Sequence, residues 1–262
     1  MKTVLVCDAT SLGEYATILL GASETAFGRV LNYAELLEAD RRVLLTTPYF
    51  DAALPDHWER IDRESWSTQE FLSALEEAGG EDTRIVLFSG DEPFLQKSIT
   101  ERLLALQTQY QTEYTFADGY ADGMAPELID SAILPVLRKL NEEHPEERGR
   151  DVIFRLIQQD INAFDLETEI SSVDLRLLRA SLTCDTRRNY LLCRRRVEES
   201  IEDEQAILHR LPEKLTLQRT LPAYFTVQIT NRYSQRVSYE PFFDMQKEEA
   251  ETRLSLHRFR EL

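Results

Sequence analysis

Short apolar runs alternate along the first 160 residues with longer stretches in which apolar residues recur every three or four positions. The short runs are typical of buried parallel strands, and the longer stretches are typical of helices that pack one face on a sheet. The pattern predicts strands over residues 3–7, 42–46, 84–88 and 113–116, and helices over residues 24–38, 68–78, 98–109, 125–141 and 150–161.

This alternation predicts an α/β fold, with a mostly parallel sheet between two layers of helices. In such folds ligands bind beyond the carboxyl ends of the strands. The polar residues that directly follow predicted strands are therefore the first candidates for a functional site.

The pattern changes towards the end of the chain. Residues 179–184 form a further strand candidate, and residues 190–211 predict a long, highly charged helix. Two strand-like runs follow at residues 215–217 and 224–230, before a charged helical tail that starts at Met245. We therefore divide the chain into an α/β domain, residues 1–210, and a short C-terminal extension, residues 211–262.

The charge balance narrows the range of partners. The chain has 47 acidic and 30 basic residues, a formal net charge of −17. A surface this negative repels nucleic acids and anionic lipids, but it admits a nucleotide when Mg²⁺ bridges carboxylates and phosphates. Asp8 comes too early in the chain for a signal peptide, and no apolar run approaches the length of about 18–20 residues that a membrane span needs. The three cysteines have no metal-ligand spacing. We therefore predict a cytoplasmic protein without a membrane span.

Three aspartates follow predicted strands, namely Asp8, Asp91 and Asp185. Asp91 lies in Ser-Gly-Asp-Glu-Pro, where Gly90 allows the chain to turn off the strand. Carboxylates at strand ends are suitable ligands for Mg²⁺ in nucleotidyl transfer, with Asp91 and Asp185 as the pair. The alternative is that the first motif is only a polar turn and that Asp185 caps a helix.

Three segments resemble the sugar-nucleotide cytidylyltransferases, notably the CMP-Kdo synthetase type. Residues 84–99 resemble the family's central strand, Gly-Asp-Glu-Pro turn and helix. Residues 118–128 resemble its sugar-side loop, and residues 178–186 its final strand. The resemblance covers about residues 1–205 and implies a nucleotide-diphospho-sugar transferase fold of the GT-A/Rossmann-like type.

The same resemblance implies roles for individual residues. Asp91 would be catalytic and would bind Mg²⁺ together with Asp185. The nucleotide would contact Asp8, Ala9 and Gly90, and the acceptor would contact Gly123 and Glu127. The implied reaction is Mg²⁺-dependent transfer of a nucleotidyl group to a sugar or a sugar-like acid.

One departure from the family bears on activity. The family's first loop carries Arg and Lys around the triphosphate, whereas residues 8–21 contain neither and include Asp8 and Glu14. Losing these cations removes charge-assisted contacts to the phosphates. The alternative function is therefore a non-catalytic binding module for a nucleotide, a nucleotide-sugar or a protein partner.

Residues 221–242 resemble the opening strand and cluster loop of a radical S-adenosylmethionine enzyme. At the positions of the three cluster cysteines the chain has Tyr233, Val237 and Glu240, so we expect no iron–sulfur cluster here. The two resemblances in this order are similar to the spiro-SPASM proteins of spirochaetes. They imply a degenerate, truncated radical SAM start after the transferase-like domain.

Overall fold

The computed structural model describes residues 1–221, 227 and 255–261, and the chain divides into two compact units, residues 1–220 and 221–262. The first unit contains a seven-stranded sheet in the order β3-β2-β1-β4-β6-β5-β7. Every neighbouring pair is parallel except the two that involve β6. The strands are β1 Lys2–Asp8, β2 Arg41–Thr46, β3 Glu59–Asp62, β4 Thr83–Ser89, β5 Tyr114–Asp118, β6 Glu127–Asp130 and β7 Leu166–Ile170.

Helices connect most of the strands. The α-helices of the first unit are α1 Glu14–Thr17, α2 Ala26–Glu35, α3 Thr68–Gly79, α4 Lys97–Tyr110, α5 Leu134–Glu143, α6 Val152–Gln159, α7 Arg187–Glu198, α8 Glu204–Glu213 and α9 Leu215–Gln218. Short 3-10 helices span Ser131–Ile133, Ile161–Ala163 and Arg176–Leu178. In the second unit the described residues include α10, Leu256–Glu261.

Two hydrophobic cores lie on opposite faces of the sheet. Alternate residues of β1 divide between them, with Leu5 in the core that contains α2 and α4, and Val4 in the core that contains α3, α5 and α6. Successive strand side chains point to opposite faces, so a strand that is apolar throughout can serve both cores. The predicted α/β fold with helices on both faces of a mostly parallel sheet is confirmed.

Several of the predicted elements are wrong. The helix predicted over residues 125–141 begins only at Leu134, and β6 occupies Glu127–Asp130, antiparallel to β4. The expected strand over residues 179–184 is a loop with one bridge, between Asp122 and Ser181. The prediction also missed β3 and β7, the two edge strands, which are short and rich in charged residues.

The charged helix predicted over residues 190–211 is two helices, α7 and α8. Ser200 adopts a positive φ of 53° between them, and the Asp203 side chain caps α8. The strand predicted at residues 215–217 is the short helix α9. The strand predicted at residues 224–230 and most of the tail from Met245 lie outside the described residues, as does nearly all of the segment that resembles a radical SAM start. Among the described helices, none is long and apolar enough to cross a membrane.

Candidate functional site

The carboxyl ends of β1 and β4 lie side by side, in the register Asp8 opposite Ser89. The Gly90 amide donates to the Asp8 carbonyl at 2.9 Å, which ties the turn after β4 to the end of β1. A side chain at Gly90 would meet the Leu12 side chain at 3.0 Å and the Phe27 ring at 3.1 Å, so these two apolar side chains pack closely against the glycine. Ala9 is buried in the core beside this edge, where its amide donates to Leu45.

The structure brings Asp91 close to the segment that ends in Asp185. The amide of Cys184 donates to the Asp91 carbonyl at 2.7 Å. Asp91 is 2% exposed, and its Oδ1 atom is buried without a hydrogen-bond partner among the described residues. A buried carboxylate oxygen without a donor is a natural position for a cation.

The Asp185 side chain is exposed, and hydrogen bonds from neighbouring residues hold it in place. Its Oδ1 atom accepts hydrogen bonds from Thr183 and Asn189, both at 2.8 Å. Desolvation raises the pKa of Asp185, but these two hydrogen bonds and the positive charge of Arg150 together outweigh it, and the pKa is lowered. The residue that caps α7 is Thr186, so the alternative role of Asp185 as a helix cap is not what the structure shows.

Two arginines from a distant part of the chain enter this edge of the sheet. They belong to residues 148–151, between α5 and α6, a segment that we call the arginine loop. Arg148 forms an ion pair with Asp8, and its guanidinium lies 3.6 Å from the centroid of the Phe71 ring. Arg150 forms an ion pair with Asp91 and a second one with Glu92 at 3.3 Å.

Sequence reasoning missed the arginine loop. The prediction placed Arg150 at the start of a helix, whereas α6 begins at Val152. The available signal was indirect: the sequence of residues 8–21 lacks the cations that the site would need, and Arg-Gly-Arg at 148–150 is a compact basic group in an acidic region. Only the fold shows that these two arginines reach Asp8 and Asp91.

The arginine loop borders two cavities. A small one of about 200 Å³ lies against the loop after β1, between Asp8, Asp91, Arg148 and Arg150. A larger one of about 600 Å³ extends towards β6 and is lined by Arg150, Gly123 and Glu127, among others. Of the predicted nucleotide and acceptor residues, Asp8, Gly123 and Glu127 line these cavities. Ala9 and Gly90 are buried and line neither of them.

Gly123 shapes the wall of the larger cavity. It has a φ of +85°, and a side chain there would lie 2.8 Å from the Leu182 carbonyl. The neighbouring Asp122 carbonyl accepts from the Leu182 amide at 2.8 Å. Gly123 therefore allows the segment before β6 to pack directly against the segment that carries Asp185.

The lining of the larger cavity has more carboxyl groups than its one arginine among the described residues can pair with. Burial raises the pKa of Glu92 to about 8, despite the nearby Arg150, and raises the pKa of Glu127 to about 7. Burial also raises the pKa of Asp122. Carboxyl groups with raised pKa values release protons readily when a cation approaches, so this cavity favours positively charged ligands.

The donors at this edge fit a divalent cation bound with help from a substrate. Among the described residues there is no group of three or more side chains with metal-ligand geometry. Mg²⁺ commonly uses one or two carboxylates and completes its shell with water and substrate phosphates. The carboxylates at this edge that could serve in this way are those of Asp91, with its orphaned oxygen, and Asp185.

The fold is similar to solved cytidylyltransferases. A cytidylyltransferase from Leptospira borgpetersenii serovar Hardjo-bovis (strain JB197) has 16% identity and a TM-score of 0.64, covering 86% of this chain and 100% of that one. The 2-C-methyl-D-erythritol 4-phosphate cytidylyltransferase from Thermus thermophilus has 11% identity and a TM-score of 0.54, covering 75% and 98%. These structural similarities show that the chain has a nucleotidyltransferase-like fold.

A third similar structure is Rv0371c from Mycobacterium tuberculosis H37Rv, solved in complex with manganese. It has 18% identity and a TM-score of 0.50, and covers 65% of this chain and 88% of that one. That protein has therefore been crystallised with a divalent metal ion.

Curated relatives match only part of the chain. An uncharacterized protein of Treponema pallidum (strain Nichols) is 34% identical over 89 residues, which are 34% of this chain and 24% of that protein. A second one from the same organism is 29% identical over 65 residues, which are 25% of this chain and 30% of that protein. The chain thus spans less than a third of these relatives. No family model matches the chain.

Proposed function

We propose that residues 1–220 bind a nucleoside triphosphate at the carboxyl edge of the sheet and transfer its nucleotidyl group to a small acceptor in the larger cavity. The observation that carries this proposal is the arginine loop. The loop after β1 has no basic residue, but Arg148 and Arg150 arrive beside Asp8 and Asp91 from elsewhere in the chain. Guanidinium groups bind phosphate oxygens in a fixed, bidentate geometry, and can therefore take over this role.

In this proposal Asp91 and Asp185 hold the divalent cation, with Mg²⁺ as the expected ion. Such an ion supplies neutralisation of charge on the α-phosphate and on the leaving pyrophosphate. Arg150 orients the phosphates, while Asp8, Ala9 and Gly90 form the floor beneath them. Gly123 and Glu127 contact the acceptor, for which the family resemblance implies a sugar or a sugar-like acid.

A specific observation favours a second, non-catalytic function. Asp8 and Asp91 already have arginine partners, so each carboxylate is neutralised without a metal ion. In this alternative the domain is a binding module of a radical SAM/SPASM protein, and its ligand is a nucleotide-sugar or a protein partner. The residues that resemble the radical SAM start, 221–242, lie almost wholly outside the described part of the chain.

The proposed setting is the cytoplasm. All three cysteines lie in the described part of the chain, where they are buried and free. Free thiols are typical of a reducing compartment, and nucleoside triphosphates are abundant there. The negative net charge disfavours nucleic acids and membrane surfaces as partners.

Titration calorimetry of CTP and UTP, with and without Mg²⁺, tests the proposal. The comparison uses the wild-type protein, Asp91→Asn and the control Asp160→Asn, an exposed aspartate at the end of α6. We expect Mg²⁺-dependent binding in the wild type and the control and its loss in Asp91→Asn. If neither nucleotide binds at millimolar concentration, the transferase function is wrong and the binding-module alternative remains.

A further inference from the structure

The larger cavity has two chemically different ends. Arg150 lies at the end next to the turn after β4, close to Asp91 and Glu92. The other end, next to β6, contains Glu127 and a group of aromatic side chains. A ligand that spans the cavity therefore meets a cation at one end and an anion at the other.

Glu127 forms no ion pair with any of the described residues. Its Oε2 atom is buried and has no hydrogen-bond partner among the described residues. The Tyr114 hydroxyl is hydrogen-bonded to the carboxyl group, and the charges that act on it are those of Asp151 and, more weakly, Arg148. Burial consequently raises the pKa of Glu127 to about 7, which is the behaviour of a carboxylate that no cation compensates.

Aromatic rings form the wall beside Glu127. The ring centroids of Phe116 and Phe154 are 5.1 Å apart, those of Tyr114 and Phe116 are 5.6 Å apart, and those of Tyr114 and Phe154 are 6.3 Å apart. All three residues line the larger cavity. An aromatic wall beside a carboxylate is the environment in which proteins bind ammonium groups, through cation–π attraction and ion pairing.

The remaining charges disfavour a purely anionic acceptor. Asp122, Asp151 and Asp185 also line the cavity, and Arg150 is its one lining arginine or lysine among the described residues. An acceptor that carries only carboxylates or phosphates would add to this negative charge. An acceptor with a positive end would instead neutralise part of it.

On the basis of the proposed function, we propose that the acceptor is an amino-alcohol phosphate, whose ammonium group lies between Glu127 and the aromatic wall and whose phosphate lies towards Arg150. In the transfer, a phosphate oxygen of the acceptor forms a bond to the α-phosphorus of the nucleoside triphosphate. The bond from that phosphorus to the pyrophosphate oxygen breaks, and pyrophosphate leaves with its electron pair. No oxidation or reduction takes place, and no further reactant is required.

The test is titration calorimetry with three probes: phosphocholine, phosphoethanolamine and glycerol 3-phosphate. The third probe has the same phosphate but hydroxyl groups in place of the ammonium group. We expect phosphocholine or phosphoethanolamine to bind about tenfold more tightly than glycerol 3-phosphate. Each titration is made on the free protein and on protein saturated with Mg²⁺ and an α,β-methylene analogue of CTP, which prevents turnover.

Two variants assign the binding to the predicted end of the cavity. Glu127→Gln keeps the shape and the hydrogen bond with Tyr114, and Phe154→Leu removes an aromatic face; each should weaken phosphocholine binding by about tenfold. Glu101→Gln, an exposed substitution on α4, should leave it unchanged. Glycerol 3-phosphate binding should change little in all three variants.

The outcomes separate this inference from the proposed function. If wild-type protein binds glycerol 3-phosphate as tightly as both ammonium probes, or if both cavity variants bind phosphocholine like the wild type, the acceptor class is wrong. Mg²⁺-dependent CTP binding together with either result would leave the transferase proposal intact. Absence of CTP binding would overturn the transferase proposal, while the titrations of the free protein would still decide the ligand class.

Discussion

Arg150 donates a hydrogen bond to the carboxylate of Asp91, a residue 59 positions earlier in the chain. The pair joins the arginine loop to the turn after β4, and it places a fixed positive charge beside the orphaned Oδ1 atom of Asp91. The arrangement compensates a charge that is almost fully buried and that would otherwise be costly in the folded state.

This ion pair should stabilise the folded protein. A double-mutant cycle with Arg150→Ala and Asp91→Asn should give a coupling free energy of about 1 kcal/mol, reduced from that of a fully buried pair because Arg150 is partly exposed. Urea unfolding followed by circular dichroism measures it. The exposed pair Lys97–Glu101 serves as the control, and its coupling free energy should be only a few tenths of that of the Arg150–Asp91 pair. Equal coupling in the two cycles would contradict the prediction.

Stability should fall as the pH rises above the ordinary range of carboxyl groups. The pKa values of Glu92 and Glu127 are raised to about 8 and about 7, so the folded protein binds protons that the unfolded chain has already released. The unfolding free energy should therefore decrease between about pH 4.5 and pH 8. Urea unfolding at several pH values in this interval measures the slope.

Glu127→Gln isolates the part of this slope that comes from Glu127, because glutamine resembles the protonated form of the side chain. At about pH 8 this variant should be more stable than the wild type by about 1–3 kcal/mol, and the difference should vanish near pH 4.5. A wild-type slope that the substitution leaves unchanged would show that Glu127 has an ordinary pKa.

Gly123 should tolerate no side chain. Gly123→Ala combines a positive φ with a contact of 2.8 Å to the Leu182 carbonyl, and should lower the unfolding free energy by about 2–4 kcal/mol. Gly80→Ala is the matched control, because Gly80 also has a positive φ, of 74°, but open space where the side chain would lie. Its cost should be smaller, about 1–2 kcal/mol, from the backbone conformation alone. Equal losses in thermal or urea unfolding would mean that the contact with Leu182 does not matter.

Arg196 should be replaceable with a gain in stability. Its side chain is 0% exposed, its three guanidinium nitrogens have no hydrogen-bond partner among the described residues, and burial lowers its pKa to about 10. Arg196→Met should raise the unfolding free energy by about 1–3 kcal/mol, because a buried cation without a partner is replaced by an apolar chain of similar length. Arg194→Met, at an exposed position of the same helix, should change it by less than about 0.5 kcal/mol. A loss of stability in Arg196→Met would refute this prediction.

The central strands could be predicted from the sequence because local information is sufficient there. Residues 4–7 and 85–88 are apolar throughout, and a short apolar run that ends at a turn is typical of a strand buried on both faces. The turn that follows β4 was equally visible, since Gly90 and Pro93 interrupt the strand pattern. These local features indicated the sheet edge where Asp8 and Asp91 lie.

The edges of the sheet could not be predicted in this way. β7 has the sequence Leu-Glu-Thr-Glu-Ile, and its charged residues hide the apolar pattern of a strand. β6 is only four residues long and lies within a stretch whose apolar residues have helical spacing. Their pairing depends on β5 and β4, from which they are separated by loops and helices. Tertiary contacts decide such cases, since short segments have weak intrinsic preferences.

By itself, the sequence determined an α/β domain with carboxylates at the ends of its strands, because burial and chain turns follow from neighbouring residues. Only the tertiary structure decided that Arg148 and Arg150 meet Asp8 and Asp91. It alone also placed Glu127, which has no ion pair among the described residues, beside aromatic rings in a cavity. Contacts of this kind join residues far apart in the chain, and their position is set by how helices and strands pack, which no local pattern encodes.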